Sequence, residues 1–278
     1  MPITRVAVAL LCAVLVSTVG AAAQERKATE RPETQPPPGR EHFQLKFGAG
    51  YDQGDFGTND TTRSVYAPVT FRYLGERFDV GVTASLLYLD TESNVVVIDG
   101  QPTQSDRQRR SRDAGFGDLY FKGLYYLLDD PGPESFVPGV APFLKVKAPT
   151  ADAGKGLGTG EWDVGFGVEW DKRFREFFVL GDVSYMFMGD PPHQHFRNRP
   201  AFSVGIGRQF TRDIAGTVML DWRRAIVSNG DDAVELTGIV QFRLARTVTA
   251  SPYVFVGLTD GSPDFGLGFE VSWKFGRY

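Results

Sequence analysis

Several groups of residues have the types and spacing that chemistry needs. His193-Gln194-His195 with Asp190 offers imidazole and carboxylate donors to a metal. Two histidines in a polar loop are more often plain solvated sequence, so no metal and no cofactor is expected. The third histidine, His42, opens a strand-like stretch, and no strand carries a histidine beside a candidate serine or carboxylate. A nucleophile needs such a base within reach, so no catalytic residue is assigned. Gly154-Lys155-Gly156-Leu157-Gly158-Thr159-Gly160 invites a phosphate-loop reading, but Pro149 stands where the first glycine belongs and Gly156 follows Lys155 where Ser or Thr is required. No apolar helix follows, and the segment reads as a flexible loop. Arg107, Arg109, Arg110 and Arg112 have the charge to hold phosphates of lipopolysaccharide, although Asp106 and Asp113 between them fit a merely solvated loop equally well.

A more specific constellation is Asp118, Lys145, Lys147 and Asp163, which share one parity on three consecutive strand-like stretches. Folding these stretches as hairpins sets Asp118 opposite Val146, between Lys145 and Lys147, and brings Lys147 beside Asp163. Opposite charges on one inner face fix strand register, shape a constriction, or do both.

The elements that must position these groups are strands. From His42 onward apolar residues alternate with others over stretches of about ten residues, broken by Gly, Asp, Asn and Pro clusters. Twelve such stretches run from His42 to Tyr51 through to Asp264 to Phe275. Short connections alternate with long ones, of which Asp90 to Ala114 is the longest, as in an outer-membrane barrel with periplasmic turns and extracellular loops. If the more apolar parity faces outward, Lys46, Arg72, Arg77, Asp79, Lys122, Glu169, Asp182, Asp221, Arg223, Glu235, Arg243, Glu270 and Lys274 join the cluster inside. Arg208, near a strand end, is the one strand charge left outside. Water within and lipid without explains this sorting, because a Lys or Arg on the lipid face at the midplane costs about 2–4 kcal/mol. The expected fold is therefore all-β: a transmembrane up-and-down antiparallel barrel of about twelve strands, the first paired to the last so that no backbone group is left unsatisfied in hydrocarbon.

Composition agrees. With 42% apolar and 13% aromatic residues the 278-residue chain is not disordered, and a net charge of -4 argues against a nucleic-acid partner. The long apolar run Val6 to Val19 is too short for a helical span. Flanked by Arg5 and Ala21-Ala22-Ala23, it reads as a secretory signal cleaved near Ala23. The single cysteine, Cys12, lies within it. The expected organisation is a signal peptide over 1–23, a Pro-rich periplasmic tether over 24–41, and the barrel over 42–278.

Gly115-Phe116-Gly117-Asp118, Lys145-Val146-Lys147-Ala148-Pro149-Thr150-Ala151-Asp152, Lys155 to Gly160 with Asp163, and Gly189-Asp190 together resemble the outer-membrane barrel family named after the meta-pathway of phenol degradation. The resemblance covers about Gly115 to Pro192 and extends to the whole barrel. It implies a transporter of small, often aromatic or hydrophobic compounds. Ala151 stands where the pattern usually has Gly, which loosens the turn assignment there.

Two inward-facing features stand apart from the resemblance. Tyr120, Phe143, Phe178, Met186, Met219, Tyr253 and Phe255 form an apolar path for an amphipathic solute, or else simply fill a small barrel. Gly48, Gly50, Gly266 and Gly268 line the closing seam as a bare strip, which is either the open part of a pathway or backbone over which neighbouring aromatics lie. The function expected is a passive channel or facilitator for small amphipathic or hydrophobic molecules in a bacterial outer membrane. Its partners would be membrane lipid, lipopolysaccharide and a small-molecule solute, and it would not be an enzyme. A plugged barrel with a structural or surface-interaction role is the alternative, with an outer-membrane lipid enzyme more remote.

Overall fold

A computed structural model describes residues 42–58, 60–105, 111–192 and 194–276. The signal and tether segments, Arg107, Arg109, Arg110 and His193 lie outside the described residues. The strands are β1 (His42–Gly54), β2 (Thr62–Leu74), β3 (Phe78–Thr91), β4 (Val95–Ile98), β5 (Gln101–Gln104), β6 (Ser111–Phe116), β7 (Leu119–Tyr125), β8 (Gly139–Ala148), β9 (Asp163–Phe174), β10 (Phe177–Phe187), β11 (Arg199–Gln209), β12 (Ile214–Arg223), β13 (Ala233–Ala245), β14 (Val248–Gly257) and β15 (Phe265–Gly276).

Twelve antiparallel strands close into a barrel, with β6 and β7 forming one interrupted strand and β4–β5 standing apart as a hairpin. The seam joins β1 to β15, with Phe43 opposite Phe275 and Gly50 opposite Gly268. His42 pairs with both Leu74 and Gly276, so both ends of the described chain lie at the rim that carries the tight turns. The outer face follows the parity read from the sequence. Phe47, Val80, Leu144, Phe166, Val183, Ile206 and Leu267 are all exposed despite their size. A belt of large apolar side chains on a closed barrel is the surface that hydrocarbon, rather than water, accommodates. Near the turn rim Phe43 stacks between Phe71 and Phe275, at 5.6 and 5.8 Å between ring centroids.

The loop rim departs from the sequence reading in three places. The segment from Asp90 to Ala114 contains the β4–β5 hairpin. Asp99 and Gly100 have φ of 55° and 79°, the two left-handed positions of a type I′ turn, which Asp-Gly adopts readily. Val95 and Val97 pack into a buried cluster with Phe56, Leu87, Leu89 and Leu157, while Val96 and Ile98 pack into another with Met188, Phe196, Ile226 and Val227. Both faces of the hairpin are thus covered, which is why its apolar residues run on without alternating. Burying each Val or Ile contributes about 1.5–3 kcal/mol, enough to hold so short a hairpin inside the barrel mouth.

Second, the stretch from Gly115 to Leu128 is not one strand. β6 pairs with β3 from Leu86 to Thr91, β7 pairs with it from Phe78 to Thr83, and the chain breaks at Gly117-Asp118 between them. Third, the glycine loop is built into the interior instead of being free. Leu157 is buried, Gly156 takes a left-handed φ of 76°, and the backbone N–H of Val97 donates to the Gly156 carbonyl at 3.0 Å. The strand expected from Phe136 begins at Gly139, and Phe136 is exposed.

Candidate functional site

The motif residues build a staple across the strand break. β8 pairs with β7 only as far as Ala148 opposite Leu119, so nothing on β8 continues the ladder alongside β6. The loop after β8 takes over. Its Thr150 hydroxyl accepts from the Leu119 N–H at 3.0 Å and donates to the Gly117 carbonyl, and the Ala151 N–H donates to Asp118 Oδ1 at 3.0 Å. Gly158 passes so close to Asp118 that a Cβ there would overlap its carboxylate. Ala151 is accommodated, its side chain packing against the cluster around Leu157. Lys147 completes the staple: its Nζ lies 2.6 Å from Asp163 Oδ2 and 3.6 Å from Asp118 Oδ2, and donates to the Thr159 hydroxyl. Asp163 in turn accepts the Gly189 N–H at 2.9 Å.

This revises the expected four-residue lumen cluster. Asp118, Lys147 and Asp163 come together, but all three are almost wholly buried and bind a loop to the wall, with only Asp163 also bordering an interior cavity. The register places Phe121, not Asp118, opposite Val146. Lys145 takes no part. It stands directly across from Lys122, a pairing of like charges that is unfavourable unless each finds its own anion. Lys122 pairs with Glu169, and Lys145 with Asp99 at the hairpin tip, Nζ to Oδ1 2.6 Å. The Asp99 N–H also donates to the Tyr120 hydroxyl at 2.8 Å.

The rest of the inner wall is a set of such pairs. Lys46 meets Glu270 at 2.9 Å, Arg72 meets Asp79, and Arg223 meets Glu235. Arg199 is different: it is buried and, among the described residues, no carboxylate lies within ion-pair distance of it, Asp99 and Glu235 acting on it only from farther away; its Nε, like that of Arg223, has no hydrogen-bond partner. Cavities flank the hairpin tip. One of about 440 Å³ extends toward the turn rim among Lys46, Tyr66, Arg72, Tyr120, Lys122 and Glu270. Another, of about 210 Å³, lies among Ile98, Tyr120, Phe143, Lys145, Met186 and Arg199.

Six of the seven apolar lumen residues, all but Tyr120, form one feature with the glycines they face. Phe143 stands opposite Gly167, Phe178 opposite Gly207, Met186 opposite Gly165, Met219 opposite Gly205, Tyr253 opposite Gly268 and Phe255 opposite Gly266. In each pair a Cβ on the glycine would run into the partner's side chain. Large side chains thus lie along the wall on bare backbone, as aromatics cover glycines in curved sheets. The seam strip is therefore not open: Tyr253 reaches over both Gly50 and Gly268, and Pro68 approaches Gly48.

Outside the barrel interior the remaining groups are superficial. His195 Nδ1 lies 3.1 Å from Asp190 Oδ2 and is exposed. That contact and the Phe196 N–H hold the Asp190 carboxyl below its usual range. Arg112 pairs with Asp90 at 3.1 Å. No cluster of metal-ligating side chains occurs among the described residues. At the turn rim, burial opposes ionisation of Asp130, but Lys172 and the N–H groups of Gly132 and Arg173 outweigh it and hold the carboxyl low. Sequence reasoning missed the hairpin, Asp99 and Arg199. The Asp-Gly turn after an unbroken apolar run was the signal for the first two. Arg199 lies just before the stretch read as a strand and had no signal.

A family model described as "Putative MetA-pathway of phenol degradation" matches residues 50–277. Among solved structures, an outer membrane channel from Pseudomonas putida F1 is similar with a TM-score of 0.62 at 12% identity, over 88% of this chain and 100% of that one. The NanC porin gives 0.52 at 9% identity, over 84% and 100%, and the β domain of the Bordetella autotransporter BrkA gives 0.51 at 11%, over 84% and 99%. At these identities the likeness is one of fold.

Proposed function

The chain belongs to this phenol-degradation pathway family, and from that premise we propose that it is a passive channel of a bacterial outer membrane for small hydrophobic or amphipathic molecules. The turn rim then faces the periplasm and the loop rim the exterior. One observation carries the reading: charged pairs alternate with large apolar side chains laid on glycine along a single inner wall, beside cavities on both sides of the hairpin tip. A wall for ions alone has no use for the apolar platforms, and a dry core has no use for the charges. Passage needs no covalent step, so the protein is not an enzyme in this reading. Export by a signal cleaved near Ala23, a periplasmic tether over 24–41, and contact of the arginine-rich loop with lipopolysaccharide belong to the same proposal.

The hairpin favours one competing reading, a barrel closed by its own loop. Liposome swelling separates them. Proteoliposomes swelling in toluene-sized neutral solutes faster than protein-free vesicles support the channel, and no swelling with a correctly folded barrel supports the plug.

A further inference from the structure

The hairpin tip places a carboxylate among several cations of the wall. Asp99 reaches Lys145, which faces Lys122 across the strand pair, and Arg199 lines the same cavity with its Nε unsatisfied. The carboxylates that act on Arg199, Asp99 and Glu235, stand beyond ion-pair distance, and the planar fork of a buried guanidinium suits a contacting carboxylate better than any neutral group. Ile98, Tyr120, Phe143 and Met186 give the cavity an apolar and aromatic side, while its polar side also holds Lys122, Arg223, Asp163 and Asp182, so the four cations outnumber the three carboxylates. Its volume of about 210 Å³ has room for one ring and one acid group.

We propose that this cavity binds a small aromatic monocarboxylate, with Lys145 and Arg199 taking the carboxylate and the apolar side chains taking the ring. Asp99 is then a built-in competitor: its side chain occupies Lys145 when the site is empty and yields it to the solute. Because the tip is a two-residue turn, releasing Asp99 frees one ion pair without unpacking Val95 to Ile98. Neutral aromatics would leave Arg199 without a contacting anion and bind less well. As a permeation site this rests on the channel reading; as a binding site it stands apart from flux.

The test is calorimetric titration of the folded, detergent-solubilised protein with benzoate, benzyl alcohol and acetate. Benzoate is expected to bind at one site at least tenfold more tightly than either of the others. Arg199→Gln should weaken benzoate tenfold or more, and Asp99→Asn should tighten it severalfold. Equal binding of benzyl alcohol, or unchanged affinity in Arg199→Gln, overturns the proposal. If Arg199→Gln does not yield a heat-modifiable barrel, Lys145→Gln takes its place, with the same tenfold loss expected and unchanged affinity again fatal. Solute flux into liposomes is measured separately. Binding without any flux overturns the channel and leaves the site, whereas flux without benzoate binding does the reverse.

Discussion

Phe178 lies across the bare backbone of Gly207, its direct partner on the neighbouring strand. The contact is too close for any Cβ. Gly207→Val should therefore force either ring or strand to move, at a cost of about 1–3 kcal/mol, as overpacking generally does. Adding Phe178→Ala should recover much of that loss, because the two changes share one space. Urea unfolding of the single and double variants in detergent measures both numbers, and additive losses would show that the ring does not rest there.

Lys147 holds two carboxylates and a loop from a position with no access to water. Lys147→Met should cost about 3–5 kcal/mol, because Asp118 and Asp163 are left buried without their cation. Neutralising both acids in the same chain, with Asp118→Asn and Asp163→Asn, should restore part of it. Hydrogen exchange at the backbone of residues 150–160 is the second readout: the staple account expects faster exchange there in Lys147→Met than in the parent.

Much of this architecture was legible in the sequence. Strand number, the seam and the inner parity follow from period-two alternation, since one step of slip would turn Lys46 or Glu270 into lipid. The six lumen platforms were visible as separate lists of glycines and large residues, and only the register joins Phe143 to Gly167 or Tyr253 to Gly268. What parity cannot reach is a segment leaving the wall. Val95 to Ile98 does not alternate because both its faces are covered, and Lys147 lies inward yet sealed because a loop folds over it. Such burial is decided by packing between residues far apart in the chain.

Asp130 supplies a pH signature at the turn rim. Its carboxyl is held below the ordinary value by Lys172 and two backbone N–H groups, against the opposing effect of burial. A depressed carboxyl stabilises the folded state fully above its unfolded value, about 3.9, and that stabilisation fades as the pH falls through the folded value. Asp130→Asn should therefore be less stable than the parent by about 1–3 kcal/mol at neutral pH. The gap should stay constant down to about pH 5 and shrink below about pH 4. A gap that widens on acidification would contradict the assignment.

The account stands or falls on whether the barrel conducts around its hairpin. Planar-bilayer recording of the intact protein, beside a variant in which residues 95–104 are replaced by a short Gly-Ser link, tests this directly. The account predicts small discrete conductance steps from the intact protein and steps several times larger from the variant, since the cavities at the Asp99 tip then join into one wide lumen. A correctly folded intact protein that passes no current, while the variant conducts freely, would contradict it and identify the hairpin as a plug.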